Sequence, residues 1–242
     1  MTRSWVPEVP VALEFNGLAY AVMMATPRDL DDFAAGFALS EGLAASVRDI
    51  TDIAVAEVDN GWVVRAALTG LGIDKLTERV RTRVAESSCG LCGIENLAAV
   101  ARPLPLVASH GAIEPAAIFA ALAAMEPQQP LARETGAAHA AAWVSAEGTI
   151  GCLREDVGRH NAMDKLIGAM ARAARPLSHG FVLSTARCSY EIVEKAVRGR
   201  ATTLVCMSLP TSMAVARAEA AGLSLWALAR EDSVLLVNDA SA

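Results

Sequence analysis

Cys89-Gly-Leu-Cys92 is the part of this 242-residue sequence whose residue types and spacing most directly permit covalent chemistry. A thiolate is both nucleophile and metal ligand, and Gly90 and Gly93 allow backbone conformations that a regular strand or helix would not. Four readings fit the pair. A structural zinc site needs a second Cys-x-x-Cys or a close His pair, whereas the other thiols, Cys152, Cys188 and Cys206, and the four His are scattered. A thioredoxin-type dithiol expects a βαβ context with the pair at a helix N-terminus, and here hairpin patterns come first. A thiol that accepts, carries and donates sulfur suits an accessible loop, because it must meet two partners. The last reading is a pair of ordinary loop thiols.

Three further segments carry unusual polarity where a strand pattern passes into a helix pattern. Arg154-Glu-Asp-Val-Gly-Arg-His-Asn-Ala-Met-Asp-Lys165 places Arg159 and His160 at a helix start, a position where free backbone N–H groups favour anions. Its plainer reading is a cap, with Asn161 followed three residues later by Asp164. Ser184-Thr-Ala-Arg-Cys-Ser-Tyr190 offers Arg187 for a phosphate contact and Ser189 as an N-cap. Ser208-Leu-Pro-Thr-Ser212 adds the hydroxyls of Ser208 and Thr211 beside Pro210, and alone would be only a cap. On one sheet edge the three exceed what capping requires, so together they suggest a site for a phosphorylated ligand such as a nucleotide.

The elements that must position these residues fall into two regions. Residues 9–24 read as a hairpin about Asn16-Gly17, and residues 50–68 as a second one about Asp59-Asn60-Gly61. Between them, Thr26 as N-cap, Pro27 in the first turn, Asp29, Asp31 and Asp32 near the start and Gly42 at the stop predict a helix over about 28–41. Residues 74–84 read as irregular or helical. From about residue 111 helices and strands alternate: helix 114–125, strands 139–144 and 149–154, helix 160–174, strand 180–184, helix 189–198, strand 202–207, helix 211–221 and strands 223–229 and 233–237. The expected fold class is α/β, with an α+β N-terminal domain over 1–110 carrying the Cys89 loop and a layered α/β domain over 111–242.

Composition sets the outer limits. With 53% hydrophobic and 20% charged residues the chain is globular rather than disordered. A net charge of −6 argues against non-specific nucleic-acid binding, which needs a strongly basic face. No apolar stretch approaches the ~20 residues of a membrane-spanning helix, and Pro7, Glu8 and Pro10 stand where a signal peptide would be apolar. A cytoplasmic location is expected. Five cysteines, an odd number, argue against a disulfide framework, and Cys152 and Cys206 fall inside strand-like apolar runs.

The ordered set of motifs resembles the formate dehydrogenase accessory sulfurtransferase family, FdhD, over nearly the whole chain. It comprises Asn16-Gly17, Thr26-Pro27, Gly36-Phe37, Ser40-Glu41-Gly42, Ser88-Cys89-Gly-Leu-Cys92-Gly93, Glu155 to Asn161 with Asp164-Lys165, Arg187 with Tyr190-Glu191 and Lys195-Ala196, and Pro210-Thr211. The resemblance implies a carrier that takes persulfide sulfur from a cysteine desulfurase and delivers it to the molybdenum bis(molybdopterin guanine dinucleotide) cofactor of formate dehydrogenase. By it Cys89 holds the persulfide and Cys92 assists or resolves transfer. It adds cofactor contacts in Leu228, Ala229, Arg230, Glu231, Asp232 and Ser233, implies a homodimer, and likens the C-terminal fold to cytidine deaminases. Zinc deamination needs His-x-Glu or Cys-x-Glu and Pro-Cys-x-x-Cys, which His160-Asn-Ala and Cys188-Ser-Tyr-Glu do not supply, so no metal is expected. Ala186, Leu209 and Leu228 depart from the family's usual residues, as does the C-terminal stretch after Val237. The competing functional readings are a binding chaperone, which needs the arginines but not Cys89, and a general thiol oxidoreductase.

Overall fold

The computed structural model describes residues 4–70, Leu76 and residues 103–242. Cys89, Cys92 and, Leu76 apart, the stretch 74–84 lie outside the described residues. Both expected hairpins form: β1 (Val9–Phe15) with β2 (Leu18–Ala25), and β3 (Ile50–Val58) with β4 (Gly61–Leu68). Asn16 and Gly17 take the positive φ values, 51° and 79°, that a tight hairpin turn demands. Asn16 does more than turn the chain. Its side chain accepts the Leu68 N–H at 2.6 Å and donates to the Leu68 carbonyl at 3.0 Å, which fixes the parallel register of β1 on β4. The resulting sheet has the order β2-β1-β4-β3.

Helix α1 (Leu30–Ser40) covers one face of this sheet, and its Phe33 and Phe37 meet Phe15 and Tyr20 in a core of stacked and edge-on rings. The helix begins later than its sequence signals suggest. Its N-cap is Asp29, in a left-handed conformation and without a side-chain cap bond. Thr26 is instead drawn into the second region: its N–H donates to Asp156 at 3.0 Å, and its hydroxyl accepts the Val157 N–H at 3.1 Å. A buried carboxylate competed better for Thr26 than the helix end did, and Pro27 therefore precedes the first turn.

The second sheet has the order β10-β9-β8-β7-β5-β6. Its strands are β5 (His139–Ser145), β6 (Ile150–Asp156), β7 (Gly180–Ser184), β8 (Thr203–Cys206), β9 (Ser224–Ala227) and β10 (Leu235–Asn238). Helix α2 (Pro115–Met125) lies on one face through Ile118, against Phe181, Leu183 and Val205. Helices α4 (Arg159–Arg172), α5 (Tyr190–Arg198) and α6 (Ser212–Ala221) share a core with the other face, giving an α/β/α arrangement of the expected class. The short α3 (Pro130–Thr135) has no counterpart in the sequence reading. Among the described residues no helix is long and apolar enough to cross a membrane.

Helices α1 and α4 cross at van der Waals distance through a pair of glycines. A Cβ on Gly36 would lie 1.7 Å from the Asp164 carbonyl oxygen, and one on Gly168 would lie 1.9 Å from that of Asp32. Asp32, nearly buried, ties the same junction by accepting from Arg154 at 2.7 and 2.9 Å and pairing with Arg172. Gly168→Ala therefore forces backbone apart and is expected to cost at least the ~1–3 kcal/mol typical of overpacking. At about 2–4 °C per kcal/mol for a chain of this size, thermal denaturation should show the midpoint falling by several degrees. An unchanged midpoint would show that the crossing can yield.

Candidate ligand edge of the second sheet

Register decides where the polar loops go. Strand β5 is antiparallel to both β6 and β7, and β7, β8 and β9 are parallel, so β6 to β9 all point one way. The loops after Asp156, Ser184, Cys206 and Ala227 consequently emerge on one edge, together with the beginning of β5. Every proposed cofactor-contact residue, Arg159, His160, Arg187, Ser208, Thr211 and Leu228 to Ser233, lies in these loops or in the helix turns that follow them.

The first loop is built on Asp156, which is completely buried. One oxygen accepts from the Gly158 N–H at 2.7 Å and Asn161 Nδ2 at 3.0 Å; the other accepts from Thr26 and pairs with Lys165 Nζ at 2.6 Å. This knot turns the chain so that α4 starts at Arg159, with Gly158 as its N-cap. The capping reading of Asn161 and Asp164 is therefore wrong. Asn161 lies inside α4 and also donates to the Met24 carbonyl at 2.8 Å, while Asp164 binds Lys195 through both oxygens at 2.9 Å and accepts from Ser40 at 2.6 Å. Burial opposes the charge of Lys195, but Asp164 and then Glu41 outweigh it and raise its pKa.

In the second loop Ser189 occupies the N-cap position of α5 without making the expected capping bond. Its buried Oγ has no hydrogen-bond partner among the described residues, and the same holds for Arg159 Nε and His160 Nε2. Buried polar atoms are rarely left so unless something else satisfies them. Arg187 is exposed. The Cys188 carbonyl accepts from Thr211 N–H at 3.0 Å, which joins this loop to the third. There Thr211 does act as the cap of α6, accepting the Ala214 N–H at 3.2 Å, and Ser208 is half-buried.

In the fourth loop Leu228 adopts φ 49° and Ala229 is buried, its N–H bonded to the Cys206 carbonyl at 3.1 Å. Arg230 is exposed, yet its Nη1 folds back onto the carbonyls of Met207 at 2.5 Å and Ala229 at 2.9 Å, joining loops three and four. Its N–H bonds the Ser233 carbonyl, and Ser233 in turn donates to Asp232; Glu231, Asp232 and Ser233 face solvent.

Electrostatics divide the edge into charged and neutral parts. Burial, then Arg159 and Lys195, lower His160 to about 3 against the opposing pull of Glu41, so its imidazole is neutral at physiological pH. His139, which begins β5, is lowered by burial and by Arg159 and Arg187. No sequence motif marks His139; the available sign was a histidine at the start of a strand that begins among the polar loops. Cys152 and Cys206 are held as thiols rather than thiolates. Cys206 is raised by a hydrogen bond with Cys188 and by burial, and half-buried Cys152 is raised by burial despite Arg154.

Fold and edge together define a two-sheet α/β protein whose strand ends bring arginine, histidine and hydroxyl side chains to one edge. The chain belongs to the FdhD/NarQ family, whose sequence profile matches residues 6–241. It is 46% identical over 235 residues to the sulfur carrier protein FdhD of Variovorax paradoxus (strain S110), covering 97% of this chain and 84% of that one. It is likewise 46% identical over 224 residues to that of Xanthomonas euvesicatoria pv. vesicatoria (strain 85-10), covering 93% and 80%. In fold it is similar to a crystal structure of a formate dehydrogenase accessory protein from Desulfotalea psychrophila, with a TM-score of 0.76 at 23% identity, covering 98% of this chain and 90% of the other.

Proposed function

We propose that this protein is a sulfur carrier for formate dehydrogenase maturation, taking sulfur from a cysteine desulfurase and delivering it to a molybdenum bis(molybdopterin guanine dinucleotide) cofactor seated on the ligand edge. The observation that carries the reading is the set of three buried, unpartnered atoms, Arg159 Nε, His160 Nε2 and Ser189 Oγ, in the chain of a family whose relatives are named sulfur carriers. In the loading step the Cys89 thiolate attacks the outer sulfur of the desulfurase's cysteine persulfide. A new S–S bond forms on Cys89, the partner's S–S bond breaks, and the partner's thiolate leaves. For delivery, Cys92 attacks the inner sulfur of the Cys89 persulfide, forming a Cys89–Cys92 disulfide and releasing the outer sulfur as hydrosulfide; an external dithiol then restores the pair. The raised thiols Cys152 and Cys206 are poor candidates for the first step, because the thiolate is the reacting species.

On the ligand edge Arg159 and Arg187 supply fixed positive charge for phosphates, while neutral His160 and Ser189 offer hydrogen bonds without charge. Ser208 and Thr211 extend the polar surface. Glu231 and Asp232 cannot hold phosphate through their carboxylates, but carboxylates accept the N–H donors on the edge of guanine. The work is assigned to a cytoplasmic homodimer. Guanosine diphosphate is the simplest probe of the seat. Arg159→Gln and Arg187→Gln are each expected to weaken its binding at least tenfold, since charge-assisted hydrogen bonds contribute ~1.5–3 kcal/mol, and to leave the thermal midpoint in place. Isothermal titration calorimetry beside thermal denaturation tests this, and equal affinity in both variants would remove the nucleotide from this edge.

A further inference from the structure

His139 occupies a place that topology alone makes special. Strand β5 lies between β6 and β7 and runs against both, so its first residue stands between the loop entering α4 and the loop entering α5. In register His139 pairs with Asp156, three residues before Arg159. On the other side the neighbouring Ala140 donates to Thr185 Oγ1 at 2.9 Å and accepts from the Thr185 N–H at 3.0 Å, two residues before Arg187. His139 therefore begins its strand beside both the turn that leads to Arg159 and the turn that carries Arg187.

We propose that His139 is a further member of this anion seat, and that it takes up a proton when a polyanion settles between Arg159 and Arg187. The inference rests on the nucleotide reading of the ligand edge given above. In the free protein burial, and after it Arg159 and Arg187, act against an imidazolium. A diphosphate there offsets their field and presents oxygens to which a protonated imidazole can donate, so both changes favour the charged form. The charged and titratable groups facing His139 are Arg159 and His160 of α4, Arg187 of the next loop and Asp156 of β6. Asp156 is already committed to Lys165, Thr26, Gly158 and Asn161. His160 differs because it also faces Lys195, whose charge Asp164 and Glu41 hold in place, so it stays neutral and serves as a hydrogen-bonding group.

The sign of the linkage follows. In the free protein His139 titrates below its ordinary value of 6.5; in the complex it titrates higher. Between the two values binding takes up as much as one proton, and affinity falls by up to about tenfold per pH unit as pH rises. The terminal phosphate of guanosine diphosphate titrates in the same range, so the readout is the difference between wild type and His139→Gln. Calorimetry with guanosine diphosphate in non-phosphate buffers of different ionisation enthalpy, from pH 5.5 to 8.5, should show up to one proton less taken up by His139→Gln. His160→Gln should bind more weakly but keep the wild-type proton uptake. Independently of any variant's folding, the His139 ring resonances of wild type should titrate at higher pH in the saturated complex than in free protein. Equal proton uptake in wild type and His139→Gln, or a His139 titration that guanosine diphosphate does not move, overturns the proposal and leaves the nucleotide site standing. Absence of guanosine diphosphate binding to wild type at every pH overturns the nucleotide reading and this proposal with it.

Discussion

Cys89→Ala is expected to reduce formate dehydrogenase maturation to background while binding guanosine diphosphate as wild type does. The proposal puts the two roles on different residues: the arginines and histidines belong to strand ends of the second sheet, whereas Cys89 lies in the sequence between Leu76 and Pro103, outside the described residues. Cys89→Ala deletes the atom on which the carried sulfur would ride and keeps every arginine and histidine of the proposed seat. Cys92→Ala should behave differently, loading sulfur but failing to release it, because the attacking thiol of the delivery step is gone. Cys152→Ser, at a half-buried strand position with a raised thiol, should support maturation normally. Formate dehydrogenase activity in cells carrying each variant, set beside calorimetry on the purified proteins, checks the set. Full maturation by Cys89→Ala would contradict the carrier role and favour a protein that only binds the cofactor.

The second large effect concerns the base of the same edge. Lys165 and Asp156 are both fully inaccessible, 2.6 Å apart, and Lys165 also donates to the Thr26 carbonyl at 2.9 Å. Lys165→Met leaves the Asp156 carboxylate buried without its cation, a change that typically costs ~3–5 kcal/mol. At about 2–4 °C per kcal/mol, the thermal midpoint should drop by roughly 6–20 °C. The pair also sets the turn that starts α4 at Arg159, so guanosine diphosphate affinity should fall with stability. Lys165→Met combined with Asp156→Asn should recover part of the loss, because the uncompensated charge is removed while the amide still bonds some of its neighbours. Denaturant unfolding of the single and double variants measures this, and a Lys165→Met protein as stable as wild type would show that Asp156 finds another partner.

Local signals read well where they act locally. The Asn16-Gly17 turn, the strand 180–184 and the helix ends at Gly42 and Gly222 depend on backbone preferences of a few residues, and each appears where the sequence places it. What failed was the assignment of polar side chains that serve distant partners. Thr26 reads as a helix cap and is spent on Asp156; Asn161 reads as a cap and bonds Met24 and Asp156. Helix α3 escaped notice because it is six residues long and its first N–H groups are satisfied by Glu155 from β6 rather than by a local cap. Lysines at 165 and 195 look like surface residues until a carboxylate from another element closes over them. Three of the four ligand-edge loops were legible because strand-to-helix junctions with excess polarity are recognisable, and the fourth came through the family resemblance. His139 was not, since the place proposed for it depends on β5 running opposite to both of its neighbours.

Sulfur carriage by this chain is proposed to rest on Cys89. Intact-protein mass spectrometry under non-reducing conditions, after incubation with an active cysteine desulfurase and free cysteine, tests it directly across wild type, Cys89→Ala and Cys92→Ala. A reducible gain of sulfur is expected in wild type and Cys92→Ala and is lost in Cys89→Ala. An equal gain in Cys89→Ala, or none in any of the three with the desulfurase shown to be active, would contradict it.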